Sequence, residues 1–286
     1  MMTKQSANIS IVVANYNNGQ YLNDFFNSIQ QSSLLPLELI IIDDGSTDES
    51  LEIISKFTAL PYLKLIKFEK NRGFCNALNA GIEMAKGKYI MRIDPDDMLL
   101  ANRIAAQVSF LESNKDVDVV GSNVVYFNQE TGKDLMTSNF PLDHNSILRE
   151  YKNGDHGVLH GTVLIRSSVF KNYAYDQDNY LAEDYDIFAR MINDGHRFAN
   201  IKESLTRVRI HGQSAANDVS FHTIKKTFEL RDKLFGTSSS AIKVWFYYCY
   251  MLNYRKFLAS KNKFASFFFL GLAVLCQPGK LLKRVF

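Results

Sequence analysis

Four short stretches carry residues able to do chemistry. In "RIDPDD", Asp94, Asp96 and Asp97 crowd a turn directly after an apolar run. Three carboxylates so close repel one another unless a positive charge sits among them, and a hard divalent cation supplies it. Mg²⁺ or Mn²⁺ keeps one or two protein carboxylates and completes its shell with phosphate oxygens. Asp94 and Asp96, one residue apart, suit direct and water-mediated contacts to such an ion. The competing use is an Asp-rich turn in which Asp97 or Asn102 caps the next helix.

"DDGSTDES" sets Asp43 and Asp44 just past a second apolar run. A carboxylate there can accept hydrogen bonds from a base N–H or a ribose hydroxyl. Ser46 and Glu49 also have the spacing of a capping box, opening a helix that runs to about Phe57. "AEDYDIFAR" offers Glu183, Asp184 and Asp186 at a helix start, as partners of the helix dipole or with one acting as general base. Proximity of Glu183 would raise its neighbour's pKa and the dipole would lower it. His211 closes "RVRIHG", where it could ligate a metal or touch a phosphate.

The elements that must position these residues follow from hydrophobic patterning. "LKLIKF" (63–68) and Lys88 to Ile93 have strand length, and "ISIVV" (9–13) and "LELIII" (37–42) are largely apolar runs. Such runs belong to strands buried on both faces. Between them, residues 20–32, the segment to Phe57 and the stretch stopped by Gly87 have helical spacing. Strand and helix alternating with short connections predict a mostly parallel sheet with helices on both faces. Sheets of that kind bind ligands beyond the carboxyl ends of their strands, which is where "NYNNG", "DDGSTD" and "DPDD" fall. Past residue 100 the spacing predicts a helix over 101–113, strands over 117–127 and 160–165, a helix stopped by Gly195 and an extended segment over 204–212. No internal repeat or low-complexity tract interrupts this order.

"SIVVANYNNGQYLNDFFNSI", "LELIIIDDGSTDES", "NRGFCNALNAGIEMAKGKYIMRIDPDD", "AEDYDIFARM" and "LTRVRIHG" resemble, in order and spacing, the successive blocks of family 2 glycosyltransferases. The resemblance spans roughly residues 8–215. It implies an inverting enzyme of the α/β, Rossmann-like GT-A fold that takes a sugar from a nucleotide-diphosphate donor, with UDP as the expected nucleotide. It further implies that Val13, Ala14, Asn15, Tyr16 and Asn17, with Asp43 and Asp44, hold base and ribose, and that Arg72 lies near the nucleotide. Asp94 and Asp96 match the family's metal motif, with Asp96 the better ligand. Asp184, beside Glu183, matches the catalytic base, and His211 a histidine that approaches metal and diphosphate. His160, Gly161 and Thr162 match a segment near the acceptor. Ala14 departs from the Thr or Ser of several relatives, which removes one side-chain contact to the base. A carbohydrate or lipid-linked acceptor follows, in synthesis of a lipopolysaccharide, capsule or related glycan. The rival readings are a sugar nucleotidyltransferase, which would carry a basic Gly-rich loop where "ANYNNGQY" has no Lys or Arg, and an inactive scaffold, disfavoured because every chemical position is filled.

Composition divides the 286 residues in two. After Asp232 there is no acidic residue but nine basic ones, whereas the first 232 residues hold 24 basic against 30 acidic. The expected division is a transferase domain over 1–215 and a helical, basic, aromatic-rich region over 216–286. Residues 241–258 and 264–276 are apolar between basic flanks, and the second run is too short to span a bilayer. They predict an interfacial helix pair on an anionic membrane, or else a helical cap on the catalytic domain. Nucleic acid is not needed as a partner. Three widely spaced cysteines suggest no disulfide frame, and "MMTKQSANIS" shows no apolar leader segment. The expected location is therefore cytoplasmic, peripheral at the inner face of the cell membrane.

Overall fold

The computed structural model describes residues 5–212, 220–259 and 262–277. The chain clusters into two compact units, Met1–His211 and Gly212–Phe286. The boundary expected at 215/216 lies outside the described residues.

In chain order the first unit runs β1 (Ser6–Asn15), α1 (Gly19–Gln31), β2 (Leu35–Asp43), α2 (Ser50–Ser55), β3 (Leu63–Lys67), α3 (Phe74–Met84), β4 (Tyr89–Arg92) and β5 (Met98–Leu99). It continues with α4 (Arg103–Ser113), β6 (Val119–Asn128), β7 (Asp134–Thr137), α5 (His144–Asn153), β8 (Leu164–Arg166), α6 (Ser167–Phe170), α7 (Glu183–Asn193) and β9 (Phe198–Ile210). The sheet order is β3-β2-β1-β4-β8-β6-β9-β5, with β7 on β6. β1 to β4 are mutually parallel, so their carboxyl ends share one edge. The rest is mixed: β8 is antiparallel to β4 and β6, β5 to β9 and β7 to β6, while β6 and β9 are parallel.

Two-sided burial explains the unbroken apolar strands. Ile9, Ile11 and Val13 of β1 pack with Leu22, Phe25, Phe26 and Ile29 of α1. Each such side chain contributes about 1.5–3 kcal/mol on burial. Val12 and Ile42 point the other way, towards α3, where a Cβ on Gly81 would lie 2.5 Å from a methyl of each. The missing side chain lets that helix approach the sheet.

Sequence and structure part at several element ends. Ser46 and Glu49 form no capping box: α2 begins only at Ser50 and has no side-chain cap bond. Ser46 is drawn into side-chain contacts across two loops instead. "HGTVLI" is a 3-10 turn over His160–Thr162 before the three-residue β8. β9 starts well before the expected 204, and α5, β5 and β7 were not anticipated. β5 and β7 are two and four residues long, below what alternation can reveal.

The second unit has three described helices, α8 (Phe221–Phe235), α9 (Ala241–Ala259) and α10 (Lys263–Cys276). Ser220 caps α8 by accepting the Thr223 N–H at 3.0 Å, and Gly236, at φ 63°, ends it. Phe228 meets Tyr247 edge-on at 5.0 Å, and Tyr250 packs with Ala273. Phe264, Phe267, Phe268 and Leu275 of α10 stay exposed, at 90%, 71%, 62% and 77%. Among the described residues no helix is long and apolar enough to cross a membrane. Lys261, Lys280, Lys283 and Arg284 lie outside the described residues.

Candidate active site

At the ends of β1 and β2, paired in register at Asn15 and Asp43, two loops are laced together by side chains. Asn15 Nδ2 donates to Asp43 Oδ2 at 2.8 Å, Ser46 Oγ donates to the same oxygen at 2.7 Å, and Ser46 N donates to Asp43 Oδ1 at 3.0 Å. Ser46 Oγ in turn accepts the Asn17 N–H at 3.0 Å, and Asn17 Oδ1 accepts the Thr47 N–H at 2.8 Å. Asn17 is left-handed at φ 55°, a conformation asparagine tolerates. Asp48 accepts the Gly19 N–H at 2.8 Å, fixing the start of α1 against the second loop. Burial opposes the Asp48 charge, but the hydrogen bonds the carboxylate accepts from Ser50 and Gly19 outweigh it and leave the carboxyl below its usual range.

Asp44 gathers a third loop. Its carboxylate accepts the backbone N–H groups of Arg72 at 2.7 Å and Gly73 at 2.9 Å. Gly45, at φ 74°, sits where a Cβ would be 2.7 Å from the Lys70 carbonyl carbon, so only glycine lets these loops meet. Arg72 lies over the Phe68 ring at 4.3 Å. Of the residues expected to hold a nucleotide, Asp43 and Asp44 are buried and bind loop backbone, Val13 is core and Ala14 nearly so. Tyr16 is exposed.

The "DPDD" turn follows β4. The three carboxylates of Asp94, Asp96 and Asp97 come within 4.8 Å of one another. They are not equivalent. The Arg92 guanidinium, buried at the end of β4, grips both oxygens of Asp94. Asp97 Oδ1 accepts the Arg209 N–H from β9 at 2.9 Å. This corrects the capping role expected for it: α4 starts at Arg103 behind Asn102 with no side-chain cap bond, because β5–β9 pairing brings β9 across the turn. Burial, with Asp96 and Asp94 beside it, pushes the Asp97 carboxyl well above the ordinary range. Asp96 keeps its carboxylate on the open side, with Oδ2 3.0 Å from His211 Nε2. Arg209 Nε secures the turn by donating to the Asp96 carbonyl at 2.7 Å.

A hard cation fits this donor set at Asp96 and His211. One carboxylate and one imidazole already converge there, and two further carboxylates stand behind them. Asp94 is the weaker candidate, since Arg92 already satisfies both of its oxygens.

The third group lies at the N-terminus of α7. Asp184 Oδ1 accepts the Tyr185 N–H at 2.7 Å and faces His156 Nε2 at 3.3 Å. Burial opposes its charge, but His156, through its charge and hydrogen bond, together with the Tyr185 N–H outweighs it and holds the Asp184 carboxyl well below the usual range. Glu183 goes the other way: burial and the Asp184 charge push it up to about 7. His160 is buried and bonded to the Tyr175 hydroxyl at 2.6 Å, and burial beside Arg92 keeps the imidazole neutral. Gly161 closes the gap to the acidic turn, since a Cβ on it would be 3.2 Å from Asp94 Oδ2 and 3.3 Å from Arg92 Nη1. Thr162 is fully buried and donates to the Leu159 carbonyl at 2.7 Å.

Sequence reasoning missed Arg92, Ser46, His156, Tyr175 and Arg209. An arginine in a strand buried on both faces was a readable signal, because a buried guanidinium needs a partner. His156 sits in a loop without pattern and gave none.

The model of the family described as "Glycosyl transferase family 2" matches residues 10–174. The amylovoran biosynthesis glycosyltransferase AmsE of Erwinia amylovora is 29% identical over 224 residues, 77% of this chain and 83% of that protein. An Escherichia coli UDP-Gal:alpha-D-GlcNAc-diphosphoundecaprenol beta-1,3-galactosyltransferase is 28% identical over 217 residues, 75% of this chain and 78% of that protein. Among solved structures, S. aureus TarS 1–349 in complex with UDP-GlcNAc superposes with a TM-score of 0.64 at 15% identity, covering 96% of this chain and 92% of that one. At that identity the likeness speaks for the fold alone.

Proposed function

The chain belongs to glycosyl transferase family 2, and from that premise we propose that it moves a sugar from a UDP-sugar to an acceptor hydroxyl, with inversion, during synthesis of a surface glycan. The observation that supports this most directly is the Asp96–His211 pair within a cluster of three aspartates. It stands on the sheet edge that also carries Asn15 and Asp43. The donor nucleotide is read from the likeness to a galactosyltransferase named for UDP-Gal and a structure holding UDP-GlcNAc. The same relative's diphosphoundecaprenol acceptor favours a lipid-linked acceptor here.

In this reading the loops laced by Asn17, Ser46 and Asp44 form the donor cradle, with Arg72 beside the nucleotide. Asp96 and His211 would hold a divalent cation, Mn²⁺ or Mg²⁺, which when bound neutralises charge on the leaving diphosphate. Asp94, fixed by Arg92, faces the ribose side. Asp184 takes the proton from the acceptor hydroxyl as that oxygen attacks the anomeric carbon opposite the diphosphate. It stays ionised at neutral pH, as a base must. His160–Thr162, all three buried, back the acceptor side. The exposed aromatic face of α10 would rest on an anionic membrane, where a lipid-linked acceptor is presented.

A panel of UDP-sugars with Mn²⁺ or Mg²⁺, read as donor hydrolysis and as thermal shift, tests the reading. Asp184→Asn should lose turnover by at least about a hundredfold while UDP protection persists. Normal turnover by that variant would remove the base assignment. Chelation, or Asp96→Ala, should abolish the metal-dependent part of UDP protection, and protection indifferent to both would remove the metal.

A further inference from the structure

His156 lies in the loop between α5 and the His160–Thr162 turn. Its Nε2 is 3.3 Å from Asp184 Oδ1. The same oxygen accepts the Tyr185 N–H at 2.7 Å. Both contacts therefore fall on Oδ1, and no described residue hydrogen-bonds Oδ2. The ring meets Tyr151 and Tyr185 edge-on, with centroids at 6.3 and 5.7 Å. Tyr185 is itself anchored, because its hydroxyl donates to the Tyr151 carbonyl. Yet the His156 side chain is 41% exposed. A histidine kept for packing alone would be covered; this one is clamped from the side and open at the site.

We infer that His156 is a positioning residue for the proton-accepting carboxylate: it occupies Asp184 Oδ1 and so turns Oδ2 towards the acceptor hydroxyl. The inference rests on the reading of Asp184 as the base and deepens it. A carboxylate held by two donors on one oxygen has a fixed plane, which is what in-line transfer requires.

The charges around the pair agree with this role. Asp155 adjoins His156 in the loop, Glu183 flanks Asp184 on α7, His160 faces both, and the phenols of Tyr151 and Tyr185 close the sides. Partial removal from water works against a charged His156, but Asp184, Asp155 and Glu183 outweigh it and raise the imidazole. Its charge in turn lowers Asp184. Glu183, at about 7, takes a proton first as pH falls, so Asp184 is the last carboxylate of the two to lose its charge.

The sign of the pH effect follows. With His156 present, Asp184 protonates only well below the usual carboxylate range, so activity survives into acid. Without it, the Asp184 pKa rises, and the acidic limb of kcat moves up by about one pH unit or more, the ordinary effect of an opposite charge at that range. Loss of orientation lowers kcat by up to about a hundredfold with little change in KM.

The test compares wild type, Asp184→Asn, His156→Ala and His156→Gln in hydrolysis of whichever of UDP-glucose, UDP-galactose and UDP-N-acetylglucosamine the wild type turns over. UDP thermal protection confirms that each variant is folded. Glutamine places an amide N–H where Nε2 stood but carries no charge. His156→Gln should recover much of kcat yet show the acidic limb moved up, whereas His156→Ala should show the same moved limb with kcat lowered. If Asp184→Asn turns over like wild type, the base reading falls and this inference with it. If Asp184→Asn is inactive while both His156 variants, still protected by UDP, keep the wild-type kcat and acidic limb, His156 alone is refuted. Should His156→Ala fail to fold, the acidic limb of His156→Gln decides.

Discussion

At the scale of single residues, the same chemical group is put to different uses by its surroundings. Glu183 and Asp184 are adjacent carboxylates at one helix start, yet one is pushed up to about 7 and the other held low. Imidazole contact makes the difference, since Asp184 faces His156 and Glu183 Oε2 is buried without a described hydrogen-bond partner. Glu183 therefore weighs on stability. Its pKa is higher folded than unfolded, so the folded state holds the extra proton and stability falls as pH rises from about 4.5 to about 7. Glu183→Gln should relieve a penalty of at most about 3 kcal/mol above that window. The Tm of the variant should exceed that of wild type at alkaline pH and converge with it towards pH 4.5; a difference independent of pH would contradict the assignment. Asp43, Asp44 and Asp97 teach a related lesson. Their place beyond strand ends was readable, but two of them spend their carboxylates on loop backbone and the third on β9, and the partners of Asp44 and Asp97 lie 28 and 112 residues away.

At the scale of elements, strands buried on both faces were legible because nothing but apolar residues fits between two helical layers. The helices that cover them were legible from their spacing, and their ends were not. Ser46 and Glu49 have capping-box types, but Ser46 is claimed by Asp43, Asn15 and Asn17 across 3 to 31 residues of separation. Tertiary hydrogen bonds outcompeted a local one. Gly81 offers a direct test of the α3–sheet contact. Alanine gains up to about 1 kcal/mol in helix propensity. Its Cβ, however, meets Val12 and Ile42 at 2.5 Å, and a β-branched neighbour in a packed strand has little room to move. Gly81→Ala should therefore lose a net of about 1–3 kcal/mol in urea unfolding. No loss would mean that the helix can ride up at no cost.

At the scale of the whole molecule, the chain sorts its charge and its aromatic surface. Acidic groups gather in the first unit, and beyond Asp232 only basic ones remain. On α10, Phe264, Phe267 and Phe268 are exposed at spacings of three and four, hence on neighbouring positions of one helical face. Water-exposed phenylalanines in that pattern suit a lipid boundary, with the lysines and arginines on phosphates. Phe267→Glu with Phe268→Glu should cut flotation with acidic liposomes severalfold and leave hydrolysis of a UDP-sugar unchanged. Equal flotation would count against the membrane and leave a helical cap.

The amino-acid order by itself determined the alternation of buried strands and amphipathic helices, the sheet edge at which polar residues collect, and the family to which the chain belongs. Those rest on local patterning and contiguous blocks, which a linear reading contains. Only the tertiary structure decided which carboxylate is free. Asp94 is taken by Arg92, Asp97 by the backbone of Arg209, and Asp96 alone faces His211 on the open side. The physical reason is that a carboxylate's role is set by the donors that reach it. At Asp96, Asp97 and Asp184 the donors His211, Arg209 and His156 lie 115, 112 and 28 residues away, brought together by the fold.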